Sequence, residues 1–213
     1  MICEEDARIV KGRIIDNQRI KHFLDLDFIK DQRQGNKILD IGCQDGYVCS
    51  QLYEFGWDPY GVDIIKESLE LAQNKYPSIN FQWANCEKSI PFEDNFFDIV
   101  WAGDVIEHIH FTDIFVNEVN RVLKKGGLFV LTTPMHNPIK LLLIAIHNFE
   151  EHFDPEFSHL RFYSVKSLKS VLERRGLILQ SVQYLGRFRP IAKIIFAIAR
   201  KENDNRVFSK YRF

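Results

Sequence analysis

Five short apolar runs recur between residues 37 and 132, and most are joined by stretches of helical periodicity. Lys37-Ile38-Leu39-Asp40-Ile41 is closed by Gly42, and Pro59-Tyr60-Gly61-Val62-Asp63 follows it. Ile79–Trp83, Phe97–Ala102 and Leu128–Thr132 complete the set. Runs this short suit strands buried on both faces. Helices are expected at Tyr47–Phe55, Lys66–Tyr76 and Thr112–Lys125, with Gly56, Pro77 and Gly126-Gly127 as their stops. Strands alternating with helices must be joined by right-handed crossovers, which gives a doubly wound parallel sheet.

The flanks differ from this core. Residues 4–34 read as mostly helical, with Ile20, Phe23, Leu24 and Phe28 at helix-face spacing. Pro138–Phe149 is an apolar helix, and Glu150–Tyr163 is an irregular loop rich in His, Phe and acids. Ser164 caps a helix that runs to Arg175 and stops at Gly176. Leu177–Leu185 and Ile191–Ala199 read as two strands joined by a short turn, hence antiparallel. The expected organisation is one domain over 1–213: a helical cover at 1–34, a core at 36–134, an acceptor-side helix and lid at 135–163, and a closing helix with a strand pair at 164–200.

Composition narrows the function classes. Hydrophobic residues make up 46% and charged residues 27% of the 213 positions, so the chain can bury a core. The 28 Lys and Arg nearly cancel the 29 Asp and Glu, which is unlike a protein held on nucleic-acid backbone. Cys3, Cys43, Cys49 and Cys86 form no Cys-x-x-Cys pair, which fits a reduced compartment and no structural zinc. The first residues are acidic, unlike a signal peptide, and the longest apolar run, Leu141–Ile146, is far short of the roughly 20 residues of a membrane span. A soluble, cytoplasmic protein is expected, its oligomeric state left open.

Ligands of an open parallel sheet bind at the carboxyl ends of its strands. Three segments fall there: Asp40-Ile41-Gly42-Cys43-Gln44-Asp45-Gly46, the acid Asp63, and Ala84-Asn85-Cys86-Glu87. Glycines let the backbone turn sharply and approach a ligand, and a strand-two acid is the usual partner of ribose hydroxyls. Taken singly, each also reads as a turn or a cap. Their order along one crevice is what points to a nucleoside ligand.

These motifs resemble those of the class I S-adenosylmethionine-dependent methyltransferases, in particular small-molecule enzymes like those of ubiquinone and menaquinone biosynthesis. Ile38–Gly46 is similar to the family's glycine motif, Tyr60–Ile64 to its acidic strand-two motif, and Asn85–Phe92 to its Asp-Ala-Glu…Leu-Pro-Phe segment. Phe97–His108 and Arg121–Gly127 complete the pattern, which covers about residues 36–134. The resemblance implies a Rossmann-like seven-stranded sheet with the last-inserted strand antiparallel, and S-adenosylmethionine as cofactor. It implies that Asp40, Gly42, Cys43 and Gly46 surround the methionine part, Asp63 binds the ribose, Ile64 lies against adenine, Asn85 and Cys86 meet its edge, and Ala102 lies near the sulfonium. Gln44 stands where the family usually has glycine, and Asn85 where it usually has Asp. A third glycine at helix-packing spacing and a dinucleotide's pyrophosphate cradle are both missing, which weighs against an NAD-dependent oxidoreductase. A non-catalytic module that binds S-adenosylmethionine remains the other alternative.

On the acceptor side, His108 is the candidate base, since imidazole is the side chain that titrates nearest neutral pH; a packing role is the alternative. His136, His152, His159 and Tyr163 are the candidate acceptor-binding residues, and no metal is expected. His159–Ser164 resembles a segment of family members that modify sugars, polysaccharides or lipids, so a sugar, lipid or quinone-like acceptor, methylated at oxygen or carbon, is expected. No Asn/Asp-Pro-Pro-Tyr or Pro-Cys motif of nucleic-acid methylation follows strand four. The apolar helix at 139–149 either shapes an acceptor pocket or packs one face on the core.

Overall fold

The computed structural model describes residues 4–26, 29, 36–147, 149, 160–186 and 193–202. Its elements are α1 (Glu4–Leu24), β1 (Lys37–Ile41), α2 (Tyr47–Glu54), β2 (Asp58–Asp63), α3 (Lys66–Lys75), β3 (Asn80–Trp83), β4 (Phe97–Gly103), a 3-10 turn (Ile106–His108), α4 (Thr112–Val122), β5 (Leu123–Pro134), α5 (Pro138–His147), α6 (Val165–Glu173), β6 (Leu177–Leu185) and β7 (Ile194–Lys201). The seven strands form one sheet in the order β3-β2-β1-β4-β5-β7-β6. β1 to β5 pair in parallel, and β7 inserts antiparallel between β5 and β6, as expected.

Strand periodicity divides the core into two layers. Leu39, Ile41, Val100, Ala102, Phe129 and Leu131 face a cluster that takes in Phe115, Val116, Val119 and Val122 of α4. Ile38, Ile99, Trp101, Leu128 and Val130 face the other way, onto Ile20, Phe23 and Leu24 of α1. Successive side chains point to opposite faces of a strand, so apolar runs without polar alternation must be covered twice. Phe23 sits between Trp57 and Trp101, with ring centroids 5.9 Å and 5.5 Å away. α1 is therefore anchored through its C-terminal half.

The order reverses between β1 and β4, where the chain departs first to one side of the sheet and then to the other. That switch point places the β1, β2 and β4 carboxyl ends around one crevice. Among the described residues no helix is long and apolar enough to cross a membrane.

Three expectations are corrected. The helix predicted to reach Lys125 ends at Val122, and Leu123–Lys125 open β5. The reason is pairing: Leu123 aligns with Phe97 of β4, and the backbone N–H groups of Asn95 and Phe96 take the carbonyls of Arg121 and Val122. The last strand begins at Ile194 and extends to Lys201; residues 191 and 192 lie outside the described residues. Of the two readings of the apolar helix, packing of one face on the core does not hold, because no residue of α5 is buried.

Candidate functional site

The loop after β1 is built on three left-handed residues: Gly42 (φ 76°), Gln44 (φ 49°) and Gly46 (φ 78°). A Cβ on Gly42 would lie 2.9 Å from Val105 Cγ2, and one on Gly46 would lie 2.6 Å from the Phe81 ring. Both glycines are thus required by space as well as by φ. Gln44 explains itself differently. Its backbone conformation is the one the usual glycine would adopt, at a cost of roughly 1–2 kcal/mol for a side chain. Its N–H is turned onto Asp63 Oδ2 at 2.9 Å.

Asp63 ends β2 and is buried. Its Oδ1 accepts the Ile65 N–H at 2.9 Å, so each carboxylate oxygen has one backbone partner and keeps a lone pair for a ligand. Beside it, Ile64 and Trp83 are 56% and 51% exposed, and the Trp83 indole N–H holds the Ile64 carbonyl at 2.8 Å. Asn85 Oδ1 accepts the Glu87 N–H at 3.0 Å, an Asx turn that commits this side-chain oxygen locally. Cys86 is half-buried, and burial pushes its thiol up to about 12. The Cys43 thiol is raised too, again by burial. Neither is a thiolate nucleophile at neutral pH.

A cavity of about 420 Å³ opens next to this loop, lined by Asp40, Gly42, Cys43, Gln44, Asp45 and His108 among others. Asp40 is buried, which raises its carboxyl well above the usual range. Cys49 Sγ lies 3.6 Å from its Oδ2. The cavity's other wall is the polar face of α1: Arg13, Asp16 and Arg19. Arg19 pairs with Asp104 and reaches Asp16 at 3.5 Å. Arg13 pairs with Asp45, which also takes Lys75 at 2.8 Å. Burial pushes Asp45 up, but Lys75 and Arg13 outweigh it and hold its carboxyl below the ordinary value. Arg19 is buried, and its Nε has no partner among the described residues. The cavity is therefore bordered by the Arg19 guanidinium, whose outer nitrogens are taken by Asp104 and Asp16.

The expected residues do not all meet there. Gly46 caps α2 beside the loop. Ala102 is fully buried in the apolar core, and its neighbours Trp101, Gly103 and Asp104 line the cavity in its place. His136 and Tyr163 are buried and joined to each other, the His136 N–H donating to the Tyr163 carbonyl at 3.0 Å. The His136 ring packs on Phe162, and Tyr163 Oη lies 3.4 Å from Thr112 Oγ1. Neither lines the cavity. His152 and His159 lie outside the described residues.

Two features were not anticipated. The cover helix was read from the sequence, but not that Arg13, Asp16 and Arg19 line the cavity. Their three-residue spacing was the available signal. Glu107 was passed over beside His108. It is buried, its Oε2 accepts from Thr133 Oγ1 at 3.1 Å, and its Oε1 has no partner among the described residues. Burial first, and the charge of Asp104 second, lift its carboxyl to about 7.

Comparison with known proteins points one way. Residues 39–131 match the family described as "Methyltransferase domain". The ubiquinone biosynthesis O-methyltransferase of Rattus norvegicus, named as mitochondrial, is 29% identical over 160 residues, which is 70% of this chain and 46% of that protein. A sterol 4-C-methyltransferase of Caenorhabditis elegans is 34% identical over 99 residues, 44% of this chain and 29% of that protein. The chain thus spans less than half the length of these curated relatives. A crystal structure of an S-adenosylmethionine-dependent methyltransferase from Methanosarcina mazei superposes with a TM-score of 0.65 at 25% identity, covering 85% of this chain and 100% of that one.

Proposed function

We propose that this chain, which belongs to the class I S-adenosylmethionine-dependent methyltransferases, binds S-adenosylmethionine at the β1–β4 switch point and transfers its methyl group to a small-molecule acceptor. The observation that carries the reading is the buried carboxylate of Asp63. It is fixed by two backbone N–H groups, one from the glycine loop, with a lone pair left on each oxygen. A carboxylate so held is preorganised for a diol.

The residues present fit the cofactor. Asp63 takes the ribose hydroxyls, and Ile64 and Trp83 form an apolar shelf for the base. Cys86 and the backbone at Asn85 lie toward the base edge. Gly42 and Gly46 let the loop pack against Val105 and Phe81 in the conformation that borders the cavity, since a Cβ at either would strike those side chains. The cavity receives the amino-acid part, with the positive charges of Arg13 and Arg19 along its α1 wall. Bound S-adenosylmethionine supplies a methyl group already activated by a sulfonium.

The chain's own contribution is then positioning and exclusion of water. α1 closes one side of the cavity. His108 lines it and is the residue placed to take a proton from an acceptor hydroxyl. The two relatives, one named for O-methylation in ubiquinone synthesis and one for C-methylation of a sterol, favour a lipophilic acceptor methylated at oxygen or carbon.

Incubation with methyl-labelled S-adenosylmethionine and a panel of quinone precursors, sterols, glycolipids and sugars tests this. Labelled product that is lost in Asp63→Ala supports it. Tight cofactor binding with no transfer to any acceptor class would favour the non-catalytic binding module instead.

A further inference from the structure

Apart from Pro138, Lys140 and His147, every residue of α5 is Ile, Leu or Ala. None is buried, and Ile139, Leu142 and Ile146 are 55%, 61% and 64% exposed. With Leu143 and Phe149 they fall at helical spacing along one stripe. A surface helix ordinarily turns such a stripe to the core, and an exposed apolar patch marks an interaction site.

The foot of the stripe is cationic. Lys140 Nζ donates to the Met135 carbonyl at 2.7 Å, and the Met135 N–H donates to the Lys193 carbonyl at 2.9 Å. Burial and then the charge of Lys193 lower the Lys140 amine, so the two charges stand near each other. Neither lysine is in an ion pair among the described residues. Two close cations with no carboxylate partner among the described residues favour an anionic partner.

We propose that α5 is a membrane-interface helix: Ile139, Leu142 and Ile146 enter the acyl boundary of an anionic lipid surface, and Lys140 and Lys193 face its phosphates. The chemistry selects lipid over a protein partner. The stripe is aliphatic apart from Phe149 and has cations at its foot, the pairing of an apolar face with Lys that suits an anionic lipid surface. At 1.5 Å rise per residue the helix is roughly 15 Å long, half a bilayer core, so it lies in the surface plane. The stripe is separate from the cavity, so cofactor calorimetry reports on the methyltransferase reading independently.

Flotation of the full chain with phosphatidylcholine vesicles, with and without phosphatidylglycerol, tests the proposal. The chain is expected to float with the phosphatidylglycerol vesicles, less at high salt, and weakly with phosphatidylcholine alone. The double variant Leu142→Glu, Ile146→Glu is expected to lose at least about tenfold in vesicle affinity while keeping its thermal unfolding curve and its heat of S-adenosylhomocysteine binding. Lys193→Glu is expected to lose the preference for the anionic lipid. Failure to float with either vesicle, or undiminished flotation of the double variant, would overturn it. So would a concentration-dependent dimer in sedimentation that the same double variant breaks, since a second copy would then be what covers the stripe.

Discussion

The backbone N–H of Gln44 lies 2.9 Å from Oδ2 of Asp63, tying the loop after β1 to the end of β2. The bond depends on Gln44 adopting φ 49°, and with the Ile65 N–H it fixes the orientation of the carboxylate. On the proposed reading, in which Asp63 holds the ribose, cofactor binding and loop conformation are coupled through this pair.

Replacing the acid should expose that coupling. Asp63→Ala removes a charge-assisted bond to the ligand, a loss of roughly 1.5–3 kcal/mol, or at least about tenfold in S-adenosylhomocysteine affinity. It also leaves the Gln44 and Ile65 N–H groups without their acceptor. Calorimetry of the variant checks this, and unchanged affinity would refute the assigned role.

The three left-handed positions should not respond alike. Gly46→Ala must push a Cβ into the Phe81 ring, 2.6 Å away, and keep φ at 78°. It should destabilise by roughly 2 kcal/mol or more. Gln44→Gly relieves the left-handed cost but adds freedom to the unfolded chain, so its stability should move by less than about 1 kcal/mol. Denaturant unfolding of both variants separates the two effects.

Arg19 joins two carboxylates from different parts of the chain, Asp16 and Asp104. Arg19→Ala leaves both facing the cavity with no cation between them. A loss of roughly 2 kcal/mol in stability is expected, along with weaker cofactor binding. Arg19→Lys should recover only part of either, since an ammonium cannot bridge two carboxylates as the planar guanidinium does. Full rescue by lysine would show that only the charge matters.

Glu107 makes stability depend on pH. Its folded carboxyl titrates near 7, above its ordinary 4.5, so folding favours the protonated form. That contribution is complete below about 4.5, declines as pH rises, and is gone above about 7. Glu107→Gln keeps the Thr133 contact and does not ionise. Its stability relative to the parent should therefore rise between pH 5 and pH 7 and then level off. Urea midpoints measured across that range check the sign, and a difference that stays flat would contradict it.

The sheet was legible because its strands are buried on both faces, and apolar runs ended by Gly42, Asp63 and Gly103 leave a direct signature. The boundary at Val122 was not, since Leu123–Lys125 are helix-compatible until pairing with β4 claims them. The nearness of Asp40, Gly42 and Asp63 was legible from short motifs at strand ends: the first two line the cavity and the third is bonded to the loop between β1 and α2. The spacing of Arg13, Asp16 and Arg19 puts them on one helix face, but where that face docks was not legible, because their partners Asp45 and Asp104 lie far along the chain. Ala102 was displaced by one position, because strand alternation turns its side chain into the core.

Titration of the full chain with S-adenosylhomocysteine in a calorimeter, with NADH as the comparison ligand, tests the central claim most directly. Saturable binding of S-adenosylhomocysteine, weakened at least about tenfold by Asp63→Ala and absent for NADH, is the predicted result. No detectable binding to the folded chain, or binding of NADH in its place, would contradict it.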